Sequence, residues 1–332
     1  MEERPLAAPG GHHDLSPEAR RREARHGRPQ PSPSVGSRAY EVLRRVWTGA
    51  YYDGFIHAGN LAYMAILALF PFFITVGAIF TALGEAGQRE ASVRAFLSAL
   101  PPIVGGVLEP VANDVIQARS GWLLWLGGLI GLWTVTSLIE TIRDILHRAY
   151  GTPATKAFWR YRLLSTGFIV MAVILLLLSL FAQVAITAAQ EMITAWFPRL
   201  GDWAITLTTS RLIPGGILFL SIYALFLSLT PSAYRGRRYP KWPGALLVSV
   251  WWIAVTVALP SVLRAFFRYD LTYGSLAGVM ITLFFFWLVG LGMVVGAELN
   301  AALAETPEER DMIGRQDERD SRRNRKTQEE NE

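Results

Sequence analysis

Residues 273–303 read YGSLAGVMITLFFFWLVGLGMVVGAELNAAL. No charge interrupts this run until Glu298, and Asn300 follows two residues later. A helix of this composition has no polar face to offer water, so it belongs in a large core or in a bilayer. At 1.5 Å per residue Glu298 stands about 37 Å beyond Tyr273, further than the roughly 30 Å of hydrocarbon in a membrane. The pair Glu298 and Asn300 is therefore expected where the helix leaves the bilayer.

Working outward, the same composition recurs. The chain has 332 residues, 52% of them hydrophobic and 18% charged, with a mean hydropathy of +0.28. An average soluble domain carries about 25% charged residues, and here much of the charge is concentrated in the two tails. Runs long enough to cross a membrane fall near 59–83, 121–140, 163–189, 209–229, 243–263 and 273–299. The expected fold class is all-α, a polytopic membrane helical bundle with about six transmembrane helices plus short external amphipathic helices. Pro71 and Pro260 fall inside two of the runs, where packed neighbours tolerate them.

The flanks differ. Residues 1–37 hold several prolines, Gly10–Gly11 and Arg20–Arg21–Arg22, and so little apolar content predicts a disordered basic tail. Residues 38–305 form the membrane domain, and 306–332 a charged tail expected to be disordered. Within SRAYEVLRRVWTGAYYD, 37–53, apolar residues recur at helical spacing (Tyr40, Leu43, Val46, Trp47, Tyr51), which predicts an amphipathic helix on the membrane surface. No cleavable signal peptide is expected, since the first apolar run begins near residue 59.

Basic residues crowd alternate loops: Arg38, Arg44 and Arg45; Arg143, Arg148, Lys156, Arg160 and Arg162; Arg235, Arg237, Arg238 and Lys241. The other loops are sparser, which predicts that both termini are cytoplasmic. The same asymmetry accounts for the net charge of +5 without any nucleic-acid partner. In residues 85–120 apolar positions again recur at helical spacing. Two short helices separated by Pro101–Pro102 would fit, on the outer interface or dipping back as a re-entrant pair. Gly274 and Gly278, Gly292 and Gly296, and Gly127 and Gly131 have the GxxxG spacing of close helix packing. The tryptophans, among them Trp122, Trp125, Trp251 and Trp252, suit an interface belt or a lipid-facing surface.

Three helix ends bring polar groups to one depth. Asp53, His57 and Asn60 share a helical face at the start of the first span; Thr136, Glu140, Arg143 and His147 share one at the end of the second; Glu298 and Asn300 end the sixth. One reading is a polar vestibule for an ion, a proton or a lipid head group. The other is an interfacial staple in which the groups pair with one another, since only residues deep in the membrane are functional by default. On the opposite side Arg211, Arg264 and Arg268 are candidate contacts to anionic head groups, or snorkelling arginines.

Catalytic patterns are absent from the sequence. With no cysteine there is no disulfide, thiolate zinc site, iron–sulfur cluster or catalytic thiol, and no HExxH, Walker loop or GxSxG occurs. No metal, no cofactor and no catalytic residue is expected.

The motifs LAYMAILALFPFF (61–73), GLWTVTSLIETIRDILHRAYG (131–151), PGALLVSVWWIAV (243–255) and YGSLA to GAELNAAL (273–303) resemble the YihY/BrkB family across residues 40–305. In that family an asparagine often stands where His147 is here, so no role is carried over to that position. The resemblance implies a six-span bacterial cytoplasmic-membrane protein without a settled molecular function. Some members carry the label ribonuclease BN. Metal-dependent RNA hydrolysis needs a cluster of ligands to activate water, and no such cluster is legible here. Other members are called virulence or serum-resistance factors, which implies an envelope role. The expectation is a transporter or lipid-translocating protein, with membrane lipid as partner and a lipid or small molecule as substrate. The alternative is a non-transporting envelope scaffold.

Overall fold

A computed structural model describes residues 15–25, 35–82, 97, 100–117, 122–152, 167, 212–266, 276–309 and 311. Among these residues every regular element is helical and no strand occurs. The helices are α1 (Pro17–Arg25), α2 (Val35–Gly49), α3 (Phe55–Ala82), α4 (Pro102–Gln117), α5 (Trp122–Ala149), α6 (Leu212–Leu229), α7 (Trp242–Phe266) and α8 (Ala277–Ala302). A π turn, Ala50–Gly54, joins α2 to α3, and a 3-10 turn, Ser232–Tyr234, follows α6. The segments Trp242–Leu263 and Ala277–Ala302 are long and apolar enough to cross a membrane; Phe55–Leu69 and Gly215–Leu229 are shorter apolar stretches. This fits a membrane helical bundle. The expected span 163–189 lies outside the described residues, apart from Gly167.

The opening run is the axis of the fold. Helix α8 packs against α2, α3, α4, α5 and α7. Small residues let it do so, because in lipid close van der Waals contact replaces the hydrophobic drive. A Cβ on Gly244 of α7 would overlap the Gly296 carbonyl, and one on Gly296 would overlap Val248. The two backbones therefore touch. Gly292 lies under the Trp251 ring, whose Nε1 donates to the Leu288 carbonyl at 2.8 Å. Trp251 is thus an interhelical clamp as well as a partly exposed surface residue. Gly278 packs on Val107 of α4, and Gly131 of α5 on Pro71 of α3, so Gly131, Gly278, Gly292 and Gly296 of the GxxxG pairs serve packing. Pro71 and Pro260 both sit inside unbroken helices.

Several hydroxyls within the apolar helices are satisfied locally. Thr134, Ser137, Thr141, Ser249 and Thr282 each donate to the carbonyl four residues earlier, the usual outlet for Ser and Thr in a helix.

Of the two external helices expected in 85–120, the second is observed as α4. Its positions 104, 108 and 112, one turn apart, are buried against Phe73, Leu259, Ile281 and Phe285. It therefore takes a place in the bundle rather than lying outside. The Pro101 carbonyl caps its start, accepting from Val104 and Gly105 at 2.9 Å each.

Helix α2 forms as expected, with two apolar faces. Val46 is buried, while Tyr40, Leu43, Trp47 and Tyr51 are exposed. Helix α1 was not expected: residues 17–25 lie within the segment read as a disordered tail. The reason is capping. Ser16 accepts from the Ala19 N–H through Oγ (3.3 Å), Pro17 starts the helix and Glu18 occupies its first turn, a combination that favours a helix start.

A candidate functional site at the polar end of the bundle

Helices α5, α6 and α8 end, and α3 and α7 begin, on one side of the molecule. The Tyr150 and Tyr234 rings meet there at 5.0 Å, and Asn300 meets Gly244. Each of the three helices ending there presents carbonyls without an intrahelical partner and a partial negative charge. Arginine answers both needs. Arg235 caps α6 through the carbonyls of Ser228 (2.7 Å) and Thr230 (3.2 Å). Arg45 reaches the Ala302 carbonyl at 3.4 Å. Lys241, nearly buried, donates to the carbonyls of Arg235 (2.8 Å) and Gly236 (2.6 Å); burial first, then Arg235, pulls its pKa below the usual lysine value.

Arg20 is the most completely enclosed of these cations, only 1% exposed. Its Nη1 donates to both oxygens of Glu309 (2.6 and 2.8 Å), Nη2 to the carbonyls of Ala301 and Ala304 (3.1 Å each), and Nε to Leu15 (3.2 Å). One guanidinium thus caps α8 and neutralises a buried carboxylate. Burial lowers its pKa, and Glu309 opposes that shift. Glu309 is itself held by a reciprocal capping box. Its N–H donates to Thr306 Oγ1 at 3.3 Å and the Thr306 N–H donates to its carboxylate at 3.4 Å. Arg21 and Arg25 bind Glu308 at 2.9 and 3.0 Å, and the Tyr234 hydroxyl donates to Glu18 at 2.9 Å.

The residues of the expected vestibule are placed as follows. Asn300, 1% exposed, accepts from the Gly244 N–H at 2.8 Å and donates to the Lys241 carbonyl at 3.1 Å. It is a staple between the end of α8 and the start of α7. Glu298, 3% exposed, fills the space that a Cβ on Gly49 would take. Glycine at position 49 is what lets α2 and α8 close around that carboxylate. Burial lifts the Tyr150 phenol above its usual value, and Glu298 adds in the same direction. Asp53 lies in the π turn, His57 is half-buried on α3, and Asn60 is exposed. The buried residues at this end of α3 are Ala58, Leu61 and Ala62. Glu140, Arg143 and His147 are half-buried along α5, and His147 Nδ1 meets Thr152 Oγ1 at 3.1 Å. Arg211 and Arg268 lie outside the described residues, and Arg264 is placed in α7 by its backbone.

Beneath this polar end lies a cavity of about 400 Å³. Its walls come from α3, α5, α6, α7 and α8, with Leu61, Ala65, Ile142, Ile222, Trp252 and Met293 among them. Ser221 is the single hydroxyl-bearing lining residue, and no charged residue lines it. Asp53, Asn60, Glu140 and Glu298 are not among the residues that line it. Among the described residues no group of three or more His, Asp or Glu could hold a metal ion.

Sequence reasoning missed Arg20, Glu308, Glu309 and Tyr234. The signals were present as Ser16–Pro17–Glu18 and Thr306–Pro307–Glu308–Glu309, two helix-start patterns inside segments judged by composition alone.

The chain is 25% identical to the ribonuclease-like protein YfkH of Bacillus subtilis, over 76% of this chain and 90% of that one. It is 24% identical to a UPF0761 membrane protein of Aggregatibacter aphrophilus (76% and 88% covered) and 26% identical to one of Mannheimia succiniciproducens (75% and 84%). No solved structure matches it. The virulence factor BrkB family model matches residues 52–321, which takes in every helix from α3 to α8, the staple at Asn300 and the Glu308–Glu309 pair. The chain belongs to the virulence factor BrkB family.

Proposed function

We propose that this chain is a six-span protein of the bacterial cytoplasmic membrane, both termini cytoplasmic, that takes a lipid acyl chain into its central cavity and moves lipid across the bilayer. The cavity carries this reading. About 400 Å³ falls within the range of roughly 300–1,000 Å³ typical of small-ligand sites. A polar solute or ion placed there would lose its hydration and gain almost no partner, a cost of several kcal/mol, whereas an acyl chain loses nothing. The reading includes no catalytic step. A scaffold working through its tails has less support, because α1 and Thr306–Glu309 are already engaged with the bundle.

The test is lipid movement in reconstituted vesicles, followed by chemical quenching of a fluorescent phospholipid in one leaflet. The protein should accelerate exchange, and Ala65→Trp, which fills the cavity from α3, should return it to the protein-free rate. A folded Ala65→Trp protein that moves lipid at the original rate would sink the proposal, as would wild-type vesicles no faster than empty ones.

A further inference from the structure

Helix α1 lies outside the stretch 52–321 that the family model matches, yet its partners Tyr150, Tyr234, Ala301, Ala304, Glu308 and Glu309 lie inside that stretch. Its seat has three walls: the Tyr150–Gly151 turn after α5, Tyr234 after α6, and the end of α8 with Glu308 and Glu309. The Glu18 N–H donates to the Tyr150 carbonyl at 3.4 Å. Ser16 packs where a Cβ on Gly151 would be, and Gly151 has φ +68°, a backbone setting that suits glycine.

Those walls belong to one buried cluster that runs inward. Tyr150, Tyr234, Ala301 and Ala304 share it with Leu61 and Ile222, and Ile142, Leu225 and Met293 pack against it. The last five of these also line the cavity. Helix α1 therefore clamps one end of a cluster whose other end is the cavity wall. Nine residues are too few to hold a helix alone in water even with the Ser16 cap that sets where it starts, so α1 is helical because it is docked. Its hold centres on a buried ion pair, an interaction that specifies one arrangement more than it stabilises. Docking and helix formation are one event, set by the pairing of Arg20 with Glu309.

We infer that α1 is a latch: docked through Arg20 it closes the polar end of the bundle over the cavity, and its release opens that end to water. The inference rests on the cavity of the reading above and not on lipid movement, and its readout involves no lipid substrate.

The chain has no cysteine, so single thiols report cleanly. In the full-length protein in vesicles, Ser16→Cys reports docking of α1 and Met293→Cys reports access to the cavity, each through its rate of reaction with a water-soluble thiol reagent. Both should react slowly in the otherwise unchanged chain. Arg20→Ala should raise both rates at least tenfold, and Glu309→Gln, which keeps the side-chain shape, should raise both by less. The Glu309→Gln arm decides the matter if Arg20→Ala is not recovered folded. The latch is refuted if Ser16→Cys reacts rapidly without a second change. It is equally refuted if neither release variant accelerates Ser16→Cys, or if Ser16→Cys accelerates while Met293→Cys does not.

Discussion

The two halves of α8 are held by different physics. From Ala277 to Gly292 it is apolar, and Phe285, Phe286 and Val289 pack into a cluster with α3, α4 and α7. Nothing there needs a polar partner beyond the Trp251 clamp and a back-bonded threonine. From Glu298 onward polar contacts join the apolar ones: a buried carboxylate, an asparagine staple and carbonyls capped by arginines from distant parts of the chain. The difference teaches where specificity comes from in an apolar bundle. Greasy surfaces fit many neighbours about equally well, whereas a buried donor tolerates few positions of its acceptor. The apolar half supplies contact, and the polar end supplies register.

That contrast can be broken from either side. The largest effect is expected in the apolar half. Phe285→Ala empties a fully buried ring site and should cost about 3–5 kcal/mol by the measure of core truncations, read from unfolding in mixed detergent. Asn300→Ala should cost less, about 1–3 kcal/mol, because it leaves the Gly244 N–H and Lys241 carbonyl without their partners. Asn300→Asp retains an acceptor for Gly244 and should fall between wild type and alanine; an aspartate as damaging as alanine would mean that the Lys241 contact dominates.

The smallest effect should be a pH dependence confined to the α1 seat. The Glu308 carboxyl is held down at about 2, chiefly by its own backbone N–H, with Arg21 and Arg25 adding. A depressed carboxyl contributes stability above its unfolded value near 4.5, and that contribution is lost as pH falls towards 2. Protection of the α1 amides from hydrogen–deuterium exchange, measured at each pH and corrected for the intrinsic exchange rate, should decline across that window. Glu308→Gln should flatten the decline, and an unaltered profile would remove Glu308 from the seat.

Composition and periodicity carried far at the level of elements. The run ending at Glu298 is the central helix, the apolar stripe of 37–53 is α2, and the glycine pairs mark tight crossings. The site was less legible. The sequence marked Glu298 and Asn300 as polar groups at the end of an apolar run, but not that Asn300 would pair with the backbone at the start of α7 or that Glu298 would pack against Gly49. Helical spacing says which residues share a face, and it does not say towards which neighbour that face turns.

The sequence by itself determined that this chain is built of apolar helices, and roughly where most of them begin and end, because the need to satisfy backbone hydrogen bonds without water is met within each segment. Only the tertiary structure decided that Arg20 from the first helix would cap the last one, that Asn300 would staple α7, and that the cavity between the helices would be greasy. Those outcomes depend on groups dozens to hundreds of residues apart meeting within a hydrogen bond's length, and no local pattern encodes that meeting.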